Sequence, residues 1–146
     1  SPSRGLGDVY KRQVKATEVA FEEAQARGAE LIAVHTYLEN QVHEPVAGAI
    51  LGDASWKRFE QERREKLEQG LAPLEAKYPD VKVTKVVTQD RPVRALVDHA
   101  KEAQLLITGS HGRGGFKGML LGSTSRALLQ AAPCPMMVVR PERLPE

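Results

Sequence analysis

A single cysteine, Cys134, is present in the 146 residues, so no disulfide can form within the chain. Fold stability must come from a packed core, and the composition suits a reducing cytosol better than an oxidising compartment. No apolar run approaches the ~20 residues that a membrane-spanning helix needs. The first residues also lack the apolar segment of a secretory leader. Lysine and arginine (21) barely exceed aspartate and glutamate (19), and aromatics are scarce. Nothing in the sequence suggests a basic surface interleaved with stacking rings, as a nucleic-acid partner would need. These absences leave a cytoplasmic protein with neither a membrane nor a nucleic-acid partner.

Catalytic signatures are also lacking. The nucleophile elbow G-x-S-x-G does not occur. His35, His43, His99 and His111 contain no pair at the spacing of a helical zinc motif, and Cys134 is too far from any of them to complete a site. Flanked by Pro133 and Pro135 at the head of an apolar run, Cys134 reads as a packed thiol. The charges between Lys57 and Lys66 read as a solvated helix face.

What the chain does have is an alternation of short apolar runs with helical stretches, in a length that suits one domain of ~100–150 residues. Residues 14–26 read as a helix with Val19, Ala20, Phe21 and Ala24 on its apolar face, stopped by Gly28. Residues 31–34 form a strand, and 38–54, with asparagine, proline and two glycines, read as a long loop. Ser55 is placed to cap a second helix whose apolar stripe is Trp56, Phe59, Leu67, Leu71 and Leu74, weakened at Gly70 and Pro73. Strands follow at 81–87, 105–108 and 136–139. Helices are expected from Asp90-Arg91-Pro92 onward and over 123–131. This order predicts an α/β fold with an open parallel sheet covered by helices on both faces, and ligands bound beyond the carboxyl ends of the strands.

One such end carries a glycine-rich segment. Gly109 closes an apolar strand, and Gly112, Gly114, Gly115, Gly118 and Gly122 follow, with a helix opening at Ser123. Glycines let backbone N–H groups approach an anion, and a helix N-terminus adds unpaired donors and partial positive charge. The P-loop signature fails here because Lys117 is followed by Gly118. The dinucleotide fingerprint fails because Lys117 stands where its third glycine belongs. The spacing that does fit is Gly109, two residues, Gly112, nine residues, then Gly122 and Ser123.

This spacing, with the run from Arg113 to Ser125 and the closing stretch from Pro133 to Pro141, resembles the ATP-binding signature of the universal stress protein family. The likeness extends from about Val14 to Pro141. It implies a Rossmann-like domain over 14–142 with a short tail at 143–146, acting in stress response by binding ATP or a related adenine nucleotide. It also implies Mg²⁺ or Mn²⁺ shared by the phosphates, and a homodimer paired through the last strand, 134–139.

By the same resemblance Gly109, Gly112, Gly122, Ser123, Thr124 and Ser125 meet the phosphates or ribose, and Thr36 and Thr108 line the nucleotide pocket. Arg113, with a bidentate fork, and Lys117 can neutralise phosphate charge or equally stand in solvent as long loop side chains. Ser123 can equally cap the helix, Gln89 and Asp90 can reach the pocket edge or start a helix, and His111 lies within the loop. No catalytic residue is assigned. Binding that signals through conformation or a partner is the leading reading. The alternatives are slow ATP hydrolysis, phosphoryl transfer to Ser123, Thr124 or Ser125, or a scaffold without nucleotide.

The front of the chain departs from the family pattern, which opens on an apolar strand bearing an aspartate. Residues 1–13 hold one proline, two glycines and three cations and no apolar run, and read as a non-native leader. Asp8 is not equated with the family's aspartate. The expectation is that part of 7–14 fills the slot of the first strand, or that the sheet is gapped.

Overall fold

A computed structural model describes the backbone of residues 6–37, 45–110 and 121–140, and the side chains of 15–37, 57–110 and 121–140. Helices and strands alternate: α1 (Leu6–Arg27), β1 (Leu31–Tyr37), α2 (Pro45–Lys77), β2 (Val83–Gln89), α3 (Pro92–Ala100), β3 (Leu106–Gly109), α4 (Ser123–Ala131) and β4 (Met136–Val139). β1 pairs in parallel with β2, from Leu31 opposite Val83 to Tyr37 opposite Gln89. β3 pairs in parallel with β4, from Leu106 opposite Met136 to Gly109 opposite Val139. A parallel pair needs a crossover connection, and a helix supplies each one. The α/β class with parallel strands is as expected.

The sheet itself is divided. Among the described residues no ladder joins β1–β2 to β3–β4. Residues 7–14 are helical and belong to α1, so they do not lie in a sheet as a strand. α1 instead packs against strands of both pairs, touching β3 and β4 as well as β1. Parallel strands covered on both faces are normally buried. Here most strand residues are only half-buried, and Ile32 is 43% exposed.

Two helices differ from the sequence expectation. α1 begins at Leu6, eight residues before Val14, because 8–13 contain no glycine or proline and adding a residue to an existing helix costs far less than nucleating one. α2 begins at Pro45, so the expected loop is helical over 45–54 and Ser55 lies inside the helix, not at its cap. Proline is tolerated in a first turn, and Ala47, Ala49 and Ala54 favour helix. α2 also continues through Pro73. Pro73 and the Gln69 carbonyl it leaves unbonded lie on the exposed side, where water can serve the carbonyl.

Other termini follow local chemistry. At the end of α1, Gly28 has φ +62°. Its N–H donates to Gln25 (3.2 Å) and the Ala29 N–H to Ala24 (2.9 Å), the paired bonds of a glycine-terminated helix.

Each strand pair has its own core. Phe21, Ala24, Leu71 and Val81 are buried together between α1, α2 and the β1–β2 pair, with Leu67 and Leu74 packed against them. Phe21 is wholly buried and stacks on Tyr78 with ring centroids 5.8 Å apart. Ala100, Leu106 and Leu128 form the second cluster, which includes Cys134 at its margin. The thiol is free and half-buried, in keeping with a packing role. No helix among the described residues is long and apolar enough to cross a membrane.

Candidate functional site

β3 hands over to the glycine segment through one firmly held peptide. The Ser110 N–H donates to the Val139 carbonyl at 2.9 Å, carrying the β3–β4 pairing one residue past Gly109. The carbonyl of the same peptide, on Gly109, accepts a 2.6 Å bond from the Ser125 hydroxyl on α4. The next carbonyl, on Ser110, accepts from the Gly122 N–H at 2.6 Å. Ser110 and Ser125 are only 1% and 3% exposed, so these bonds are shielded from competing water.

α4 therefore starts against the carboxyl end of β3. Its N-cap is Gly122, extended at φ −73° and ψ 167°, with no side chain capping it. Ser123 is the first helical residue, so of the two readings of Ser123 the one as helix cap gives way to a glycine cap. That backbone conformation is open to any residue, so what glycine contributes at this buried position is the absence of a side chain. The first intrahelical bond runs from the Arg126 N–H to the Gly122 carbonyl at 3.0 Å. The N–H groups of Ser123, Thr124 and Ser125 thus have no acceptor within the helix. No acidic residue stands in the first turn to neutralise its partial positive charge.

Of the residues assigned from sequence, Gly109, Gly122, Ser123, Thr124 and Ser125 are brought together at this junction. Ser123 is exposed and Thr124 half-buried. Thr108 is half-buried on β3, its hydroxyl 3.4 Å from the Gly109 carbonyl, too long for a strong bond. Gly112, Arg113, Lys117 and His111 lie outside the described residues. Thr36 lies on the other strand pair, opposite Thr88 and next to the end of β1. Beside it Tyr37 is buried, and its carbonyl accepts the Asp90 N–H at 3.1 Å. The Asp90 carboxylate accepts the Arg91 N–H at 2.7 Å, and Arg91 is the N-cap of α3. Asp90 therefore orders the turn into α3, and Gln89 is exposed at the end of β2.

Sequence reading passed over Ser110, the buried residue that both N–H and C=O bonds fix in place. Its signal was slight: a small polar residue directly after a glycine that ends an apolar strand. It also passed over Tyr37, whose phenol burial holds above the ordinary tyrosine pKa, with the Glu60 charge adding to the effect. Among the described residues no group of three acidic, histidine or cysteine side chains could hold a metal ion.

Known proteins are similar to this chain in sequence and in fold. The chain is 48% identical over 125 residues to the universal stress protein Rv2005c of Mycobacterium tuberculosis, covering 86% of this chain and 40% of that protein. It thus spans well under half the length of this relative. The solved structure of universal stress protein UspA from Lactobacillus plantarum superposes with a TM-score of 0.69 at 22% identity, covering 86% of this chain and 87% of that one. A universal stress protein in complex with cAMP superposes with a TM-score of 0.55 at 22% identity, covering 90% and 89% of the two chains. The family's sequence model, described as the universal stress protein family, matches residues 11–140. The chain belongs to the universal stress protein family.

Proposed function

We propose that this chain binds ATP or a related adenine nucleotide at the carboxyl end of β3, with the phosphates on the first turn of α4, and acts as a cytoplasmic sensor or regulator in stress response. The observation that carries the reading is the start of α4. Three N–H groups without intrahelical acceptors, a positive helix end with no acidic residue in its first turn and a glycine cap lie beside the end of a parallel strand. That combination favours a multiply charged anion over a neutral ligand. A family member of the same fold has been solved with cAMP, which supports an adenine nucleotide as the anion.

Gly109, Gly112 and Gly122 give backbone access, Ser123 and Thr124 add hydroxyls, and Arg113 adds charge. Thr36 and Thr108 stand at strand ends as candidates for contact with the rest of the nucleotide. A Mg²⁺ or Mn²⁺ ion would be shared by the phosphates. The same reading includes a homodimer. β4 pairs only with β3 among the described strands, and its free edge, with half-buried Met137 and Val138, suits pairing with a second copy.

Calorimetric titration of Mg-ATP into the folded chain tests the proposal. Saturable binding that is lost in Gly122→Val, with the circular dichroism spectrum retained, is the expected result. A folded wild-type chain that takes up no adenine nucleotide would overturn the reading and leave the fold as a scaffold. Light scattering tests the dimer, and a monomer at high concentration would remove that part.

A further inference from the structure

We propose that the Ser125 hydroxyl positions the site and does not bind phosphate: it locks the Gly109–Ser110 peptide and thereby fixes the end of β3 against α4. The effect on nucleotide affinity rests on the function proposed above, whereas the lock itself does not. A serine hydroxyl has one proton to donate. In Ser125 that proton is committed to the Gly109 carbonyl at 2.6 Å, inside a residue only 3% exposed. What the hydroxyl could still offer a phosphate is lone pairs, which an anion repels. The Ser125 hydroxyl therefore cannot hold the Gly109 carbonyl and donate to a phosphate at the same time.

The lock is specific to one peptide unit. Its N–H is bound to the Val139 carbonyl and its C=O to Ser125, on two different elements. Glycine at 109 would otherwise let this peptide rotate with little steric cost. A rotated peptide would swing the Gly109 carbonyl away from α4 and break the geometry that seats the Gly122 N–H on the Ser110 carbonyl. Ser125 and Gly109 are 16 residues apart, so this bond also ties together the two ends of the glycine segment. A site held in its binding geometry before the ligand arrives loses less freedom on binding.

Hydrogen exchange in the ligand-free chain decides the lock. In the wild type the Ser110 and Gly122 amides should exchange slowly, although both lie at the margins of regular structure. Fast exchange there overturns the proposal without any variant being needed. In Ser125→Ala both amides should lose protection, while Ser125→Thr, which keeps the donor, should restore it. Unchanged protection in a folded Ser125→Ala overturns the lock.

Mg-ATP titrations then separate the two levels. Ser125→Ala should weaken binding about tenfold, the scale expected when a buried carbonyl loses its donor. Ser125→Thr should recover most of it. Ser123→Ala should weaken binding without altering exchange at Ser110 or Gly122. If the wild type binds nucleotide and a loosened Ser125→Ala binds equally well, the positioning role fails. If the wild type binds none, the nucleotide reading fails and the exchange result still stands for the lock.

Discussion

Tyr37, the last residue of β1, meets Phe59 of α2 edge-to-face, with ring centroids 5.2 Å apart and planes inclined at 71°. The Arg63 guanidinium lies 4.9 Å from the centre of the same Phe59 ring. Such aromatic pairs add about 0.5–1.5 kcal/mol beyond the area they bury. This contact closes α2 over the carboxyl end of the β1–β2 pair.

The burial of Tyr37 gives stability a pH dependence of known sign. Its pKa is raised above 10.0, first by burial and then by Glu60. Below 10.0 both folded and unfolded chains keep the proton and the stabilising contribution is complete. As pH rises through the interval up to the folded value, the unfolded chain loses its proton first and stability falls. Urea midpoints measured from about pH 8.5 to about 10.5 should decline more steeply for the wild type than for Tyr37→Phe. Parallel slopes would show that another group is responsible.

Phe21 and Leu128, both 0% exposed, anchor separate cores. Phe21→Ala should cost about 3–5 kcal/mol and Leu128→Ala about 2–5 kcal/mol by urea denaturation, because each leaves a cavity. The milder pair Phe21→Leu and Leu128→Val should be additive within about 0.5 kcal/mol. Strong coupling between them would mean that α1 transmits strain between the two strand pairs.

Gly28 and Gly70 should respond oppositely to alanine. An added Cβ meets nothing within 4 Å at either position, so backbone preference alone decides. Gly28 sits at φ +62°, and Gly28→Ala should cost about 1 kcal/mol. Gly70 is an exposed interior residue of α2, and Gly70→Ala should stabilise by about 0.5–1 kcal/mol. Thermal denaturation reads both, and equal signs would contradict the described backbone.

Nucleotide binding should also appear as stability. On the proposed function, Mg-ATP at a free concentration about 100 times its Kd should add about 2.7 kcal/mol to unfolding, since the proposed site exists only in the folded chain. Gly122→Val should show no such gain. An equal gain in the variant would place the nucleotide elsewhere on the molecule.

Some elements were legible because their cause is local. α4 and β4 run over 123–131 and 136–139, where the apolar pattern and flanking residues placed them, and Gly28 ends α1 as a positive-φ glycine should. The starts of α1 and α2 were not legible. Glycines and prolines near 5–7 and 45–52 signal a break, yet helix extends into both stretches once the neighbouring turns exist. The candidate site was legible as a spacing of glycines and serines, but not as a set of bonds. Nothing in the run from Gly122 to Ser125 tells that Gly122 is the cap, or that Ser125 turns its proton toward β3.

By itself the sequence determined the α/β alternation, the order of its elements and the start of a helix at Ser123 after the glycine segment, all of which follow from periodicity and residue type over short windows. It also carried the family resemblance, in the spacing from Gly109 to Ser123. Tertiary structure alone decided that the described strands form two separate pairs, that each pair has its own core, and that the Ser125 hydroxyl donates to the Gly109 carbonyl. The reason is physical: backbone ladders and the single proton of a buried serine are allotted among partners many residues away. The Ser125 donor and its Gly109 acceptor become neighbours only when α4 packs against the end of β3.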